Sequence, residues 1–185
     1  AVALVLLSLG FFARNYSRTI DTKAGEHFTA MLPDGSSILL NAETSVRYLP
    51  YWWRFERKLW FNGEGFFEVE KGKKFSVVSK LGETVVLGTS FNIFARENIY
   101  KVTCITGSVK VISPKNQSLV LFPNTKAEID ENGTIKLFEQ AEPTIETGWK
   151  NQLFFFTAAP LAEVFREIER QYAIRLKNTA VPIGL

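Results

Sequence analysis

The chain of 185 residues has one histidine, one cysteine and one methionine. With Cys104 alone no internal disulfide can form, and with His27 as the single imidazole a zinc site or a cupin-type metal cluster lacks ligands. No metal, cofactor or catalytic residue is therefore expected. Charge of one sign is also scarce: 22 basic against 19 acidic residues leave a formal +3, with the two signs interspersed. That is too weak a field to make nucleic acid the expected partner. Long apolar runs are missing as well. The longest, Ala1–Ala13, would rise about 20 Å as a helix, against a bilayer hydrocarbon core of about 30 Å. It reads as a truncated membrane span, a signal-peptide core or a buried helix. The first is favoured because the run starts at residue 1, and a signal peptide would want a small-x-small cleavage site directly after the run, which Phe12-Ala13-Arg14-Asn15 does not supply.

What the chain does have is aromatic and apolar material, 46% hydrophobic with 16 Phe and 4 Trp. Such residues suit half-buried pleated surfaces, and the length fits one domain with a small appendix. Pro33-Asp34-Gly35 is a turn: Pro presets φ, Asp bonds its own backbone and Gly accepts positive φ. A short apolar run, Ile38-Leu39-Leu40, follows it and ends at Asn41-Ala42. Lys101–Thr106 alternates, with Val102 and Cys104 on one face. Thr106-Gly107-Ser108 reads as a hairpin turn into Val109–Val111, whose valines face inward. Cys104 on that inward face is most simply a small core side chain. Glycines continue at turn-like spacing from Gly35 to Gly133. The expected fold is mainly β, a jelly-roll-like sandwich, with a flattened solenoid as second choice.

Beyond Glu139 the pattern changes. Leu161, Val164, Phe165, Ile168 and Tyr172 share one helical face, between strand-like Leu153–Phe156 and Ala173–Leu176. Two aromatic or acidic groupings invite functional readings. Tyr51, Trp52 and Trp60 lie in a strip interleaved with arginine and lysine that would stack sugars in a carbohydrate-binding module. As one strand, that strip places Tyr51, Trp53, Phe55, Leu59 and Phe61 on the core face. Glu64 and Glu68, four apart, would be the acids of a glycan-active enzyme. The plainer reading makes Glu64 structural, bonding turn amides, and Glu68 a solvated strand residue.

Four blocks follow in order: Leu32–Ser36 with Leu40-Asn41-Ala42; Arg57 with Gly63-Glu64-Gly65 and Phe67-Glu68-Val69; Leu87-Gly88-Thr89 with Phe91-Asn92; and Gly107 with Val109 and Val111. Together they resemble the periplasmic part of FecR-type anti-sigma regulators of the kind common in Bacteroidetes, from about Thr22 to Lys177. Gly65 stands where that family usually has Ala, and Asn124 where it has Gly after Pro123. The resemblance implies a structural motif of Pro33, Asp34, Gly35, Asn41, Gly63, Glu64, Gly88, Thr89, Asn92 and Gly107. It also implies a single-pass inner-membrane protein with this part in the periplasm. Its partners would be the N-terminal signalling domain of a TonB-dependent transducer and, through a cytoplasmic segment, an extracytoplasmic-function sigma factor. Iron-siderophore or glycan uptake genes would respond. The expected division is a truncated membrane helix at 1–13, a linker at 14–25 and a β-rich domain at 26–139. A second linker at 140–148 leads to a partial βαβ module at 149–185, similar to the start of a secretin/TonB short N-terminal module. Its Phe154, Phe156, Leu161, Phe165 and Tyr172 are the expected partner-binding residues.

Overall fold

The computed structural model describes residues 2–176. Helix α1 (Val2–Asn15) leads into strand β1 (Arg18–Asp21). Then come β2 (Phe28–Met31), β3 (Ser37–Leu40), β4 (Ser45–Tyr48), the long β5 (Arg57–Glu68), β6 (Phe75–Val78) and β7 (Glu83–Val86). They are followed by β8 (Ser90–Arg96), β9 (Ile99–Cys104), β10 (Val109–Ile112), β11 (Ser118–Leu121), β12 (Lys126–Ile129) and β13 (Ile135–Phe138). A one-turn helix α2 (Pro143–Glu146), a 3-10 turn (Gly148–Asn151) and helix α3 (Leu161–Tyr172) complete the described chain.

The strands form two sheets that share β5. One runs β1-β4-β5-β6-β7-β10-β11 and the other β2-β3-β5-β8-β9-β12-β13. The first half of β5 pairs with β4 and β6, and the second half with β3 and β8. After β5, hairpins are dealt alternately to the two sheets: β6–β7, then β8–β9, then β10–β11, then β12–β13. This is the expected sandwich of successive hairpins, mainly β. Strands that face core on one side and water on the other alternate, as in β3, β4, β7 and β12. Phe67 and Phe91, paired across β5 and β8, stack with centroids 4.9 Å apart, and both are fully buried. Each such side chain contributes about 1.5–3 kcal/mol by leaving water. A hydrogen bond of 2.8 Å between Tyr100 Oη and Thr84 Oγ1 joins the two sheets across this core.

Several sequence expectations change. Gly107 does not close a hairpin: β9 and β10 lie in different sheets, so 105–108 is a corner between them. Val109 and Val111 are inward all the same, because alternation fixes the face and is silent on the sheet. Gly107 has φ +72°, and a Cβ there would lie 2.5 Å from Thr89 Cγ2, so this corner closes onto the Gly88-Thr89 corner. The stretch 14–25 is not all linker. Arg18–Asp21 pairs with β4, and Ile20, its one apolar residue, packs against the core. The aromatic strip is not one strand. Residues 51–55 form a turn that leaves Tyr51 and Phe55 exposed and Trp53 buried, and β5 begins only at Arg57. At the C-terminal end α3 forms as expected. Among the described residues Leu153–Phe156 finds no partner strand and runs irregularly, and Ala173–Leu176, the other expected strand of the module, is not a strand either. The rest of the expected module, 177–185, lies outside the described residues. Asn124 has φ +64°, the left-handed conformation that Gly would otherwise supply.

Candidate functional site

Residues from three of the sequence blocks converge on one buried carboxylate on the outer face of the second sheet. Glu64, in the second half of β5, is 8% exposed. Asn41, just after β3, donates from Nδ2 to Glu64 Oε2 at 2.8 Å, and Asn92 of β8 donates to Oε1 at 3.3 Å. Both amides are held in that orientation from behind. Asn41 Oδ1 accepts from the Ala42 and Gln171 N–H groups, at 2.7 and 2.8 Å, and Asn92 Oδ1 accepts from Trp149 Nε1 at 3.3 Å. Backbone geometry is set beside it. Gly63 has φ +119°, and a Cβ there would meet Thr44 at 2.5–2.7 Å, so glycine is required for Thr44 to close in. Thr44 Oγ1 then accepts from the Glu64 N–H at 3.1 Å and receives Arg96 at 3.1 Å. Burial pushes the Glu64 carboxyl up to about 7, against Arg96 and the two amide donors, which favour the ionised form. Burial likewise lowers Arg96 to about 10.

The C-terminal segment covers this cluster. Gln171, the buried residue of α3, bridges Asn41, Glu167 (2.7 Å) and His27, whose Nε2 lies 3.0 Å from Gln171 Oε1. The preceding Arg170 reaches Glu43 at 3.1 Å and Glu97 at 3.2 Å, as well as Glu167. The carbonyl of Arg170 also accepts from the Gly25 N–H at 2.8 Å. Trp149 is buried, with His27 edge-on to it at 5.5 Å. Alongside runs a groove of about 520 Å³ between α3 and residues 153–160, which Phe154 and Phe156 line. Both Glu64 oxygens are occupied by amides, so the arrangement serves to hold α3 on the sheet.

The other sequence candidates sit elsewhere. Asp34 caps its own turn through Ser36 and pairs with buried Arg57 at 2.9 Å, with Pro33 before it and Gly35 at φ +87°. Gly88 packs on the backbone of Lys71, and Thr89 is buried at the neighbouring corner. Glu68 is exposed and accepts from Ser37 Oγ at 3.2 Å, so it does not join Glu64 as a second acid. Glu64 itself is held by side-chain amides rather than the turn amides expected of it. Cys104 is buried, and burial pushes its thiol up to about 11. Tyr51 and Trp52 lie in the turn before β5, and Trp60 lies mid-strand beneath Arg47, 4.3 Å from the ring centroid; the three do not form one stacking platform. Phe154 meets Tyr172 at 6.4 Å, while Phe156, Leu161 and Tyr172 are exposed and Phe165 is half-buried. The sequence marks none of Arg96, Trp149, Arg170 and Gln171 as site residues, and His27 stands out there only as the single imidazole. The one available signal was their polar or aromatic character beside otherwise apolar spacing.

The family of FecR proteins matches residues 18–110, the part that holds Asn41, Glu64 and Asn92. The chain belongs to the FecR family. Two solved structures resemble this FecR protein over most of its length, both of a proposed anti-sigma factor from Parabacteroides distasonis ATCC 8503. One is 31% identical with a TM-score of 0.79, covering 85% of this chain and 76% of the other. The second is 30% identical with a TM-score of 0.78, covering 84% and 75%. No curated protein sequence matches significantly. At this identity the two neighbours share both the fold and the family of the FecR protein.

Proposed function

We propose that this FecR protein is the periplasmic sensing part of a single-pass inner-membrane anti-sigma factor. It receives a signal from the N-terminal domain of a TonB-dependent outer-membrane transducer and controls an extracytoplasmic-function sigma factor through a cytoplasmic segment. Family membership and the two anti-sigma neighbours support the regulatory role. Helix α1 supports the membrane location, since Val2, Leu4, Leu7, Leu9 and Phe11 are all more than half exposed around it. A helix apolar on every side is at home inside a protein or a bilayer. Among the described residues no helix is long and apolar enough to cross a membrane.

The observation that carries the sensing role is the mismatch on α3. Its polar residues Arg170 and Gln171 hold it to the sheet, while Leu161 and Tyr172 are exposed, as is Phe156 in the preceding segment. A partner domain of ordinary size would bury about 800 Å² on such a surface. By binding one arrangement of α3 more tightly, it would shift the population toward that arrangement by its differential affinity and no more. Co-purification of the whole protein with transducer signalling domains tests this. Phe156→Ala with Leu161→Ala, both at exposed positions, is expected to weaken capture by about tenfold or more while the fold is kept. Unchanged capture would remove α3 as the docking surface.

A further inference from the structure

The end of the sandwich opposite the turns 79–82 and 130–134 carries an exposed aromatic and basic loop that nothing above explains. In the order of the fold this is the end where β5 and its parallel neighbour β6 both start. Residues 51–55 turn there, with Tyr51 59% and Phe55 64% exposed. Trp52 and Phe55 lie 4.6 Å apart with their rings tilted by 37°, and the Arg54 guanidinium lies 6.0 Å from the Phe55 ring. The loop meets the last turn of α1. Tyr51 lies 6.2 Å from Phe12 and 5.3 Å from Tyr16, and Arg14 sits over Trp52 at 5.5 Å. A second basic loop, Lys71-Gly72-Lys73-Lys74, flanks it, and Arg54 and Lys73 line a common cleft. Among the described residues, Arg14, Arg54 and Lys73 have no carboxylate within ion-pair distance, whereas Lys74 pairs with Glu83 at 3.5 Å.

We infer that the loop 51–55, with Tyr16 and the flanking arginines and lysines, is a foot that rests in the anionic headgroup layer of the membrane that α1 enters. The inference rests on the proposed membrane location. Phe12 to Tyr16 rises about 6 Å along the helix, close to the thickness of one interfacial layer, about 5–7 Å. With Leu9 in hydrocarbon, Tyr51 is thereby fixed at headgroup depth. Aromatic rings with one polar edge collect at that depth, and basic side chains there gain from anionic lipid. An exposed loop of Tyr, Trp, Arg and Phe would be costly in water alone. Against such a surface each ring and guanidinium has a partner.

The test places nitroxide labels on the whole chain in lipid nanodiscs at Tyr51→Cys, Phe55→Cys, Leu7→Cys and Asn132→Cys, the last on the β12–β13 turn. Cys104 is buried and slow to react, so labelling is selective. In phosphatidylglycerol-containing discs, the ratio of oxygen to nickel-chelate collisions at positions 51 and 55 is expected to exceed that at 132 severalfold. It should fall when Arg54 and Lys73 are both changed to Gln. A membrane-buried label at position 7 with water-like labels at 51 and 55 overturns the foot and leaves the membrane location standing. A water-like label at 7 overturns both. Equal immersion in pure phosphatidylcholine discs overturns the requirement for anionic lipid. Dipolar broadening between labels at 51 on two copies would assign the loop to a second chain and overturn the proposal.

Discussion

The two halves of β5, the first with the loop that leads into it, spend their aromatic and charged residues in opposite ways. In its second half, just past the point where it passes between the sheets, Glu64, Asn41 and Asn92 are buried, each oxygen and amide has a named partner, and Trp149 and Gln171 close the cluster from above. Where β5 begins, Tyr51, Phe55 and Arg54 stand in the open, and their contacts are largely with one another and with the last turn of α1. The buried end holds the molecule together, so each loss there leaves a partner unpaired in a dry place. The open end can lose side chains without loss to the fold. Stability and surface function are thus separated along a single strand.

The largest effect should come from the junction between the two ends. Gly63→Ala forces a Cβ into Thr44 at a backbone φ of +119°. It is expected to cost about 3 kcal/mol or more in urea unfolding. A value near zero would mean that β5 can pass between sheets without this tight contact. Next, Asn41→Ala strips a donor from Glu64 and an acceptor from Gln171 and Ala42, with an expected loss of about 2–3 kcal/mol.

The same carboxylate sets a pH dependence. Because its folded value, about 7, lies above its ordinary 4.5, the folded chain holds a proton that the unfolded chain has released. Glu64 therefore contributes most below about pH 4.5, and stability falls as pH rises toward 7, by on the order of 3 kcal/mol in all. Thermal melts of Glu64→Gln across pH 4.5–7.5 should lose that slope. An unchanged slope assigns it to other groups. Gln171→Ala should act more locally, loosening α3 by about 1 kcal/mol, visible as faster hydrogen exchange over residues 161–172 with the β-strands unaffected. The smallest effect is expected at the open end: Tyr51→Ser with Phe55→Ser should move the unfolding midpoint by no more than about 0.5 kcal/mol. A large loss there would erase the contrast between the two ends.

Much of the buried end could be read from the chain itself. Asn41, Glu64 and Asn92 each sit in a block with turn residues beside a short apolar run, and the blocks come in order. What the blocks could not tell is that the three side chains meet, since pairing of β3 and β8 with β5 brings together residues that are 23 and 28 positions apart. Gln171 and Trp149 were harder still. A polar residue on a helix and a lone Trp after a Pro-containing stretch carry no local sign of what they cover. Arg18–Asp21 escaped notice because a four-residue edge strand with only Ile20 to bury has almost no pattern. The turn at 51–55 was misread for the converse reason: its alternating aromatics imitate a strand, while the exposure of Tyr51 and Phe55 is set by the chain reversing there. Leu153–Phe156 has the composition of a strand, but a strand exists only where another lies beside it.

Strand β1 gives the fold a mechanical character. Only Tyr16 and Ser17 separate Arg18 from the helix, and Arg18 is also the first rung of a four-rung ladder, opposite Tyr48. Tugged along its own length, that ladder must shear all its rungs at once. Lifted away from the sheet, it opens like a zip, one rung at a time. The resistance of this strand to load thus depends on the direction of pull, and single-molecule force measurements from the two directions would read the difference as two rupture forces.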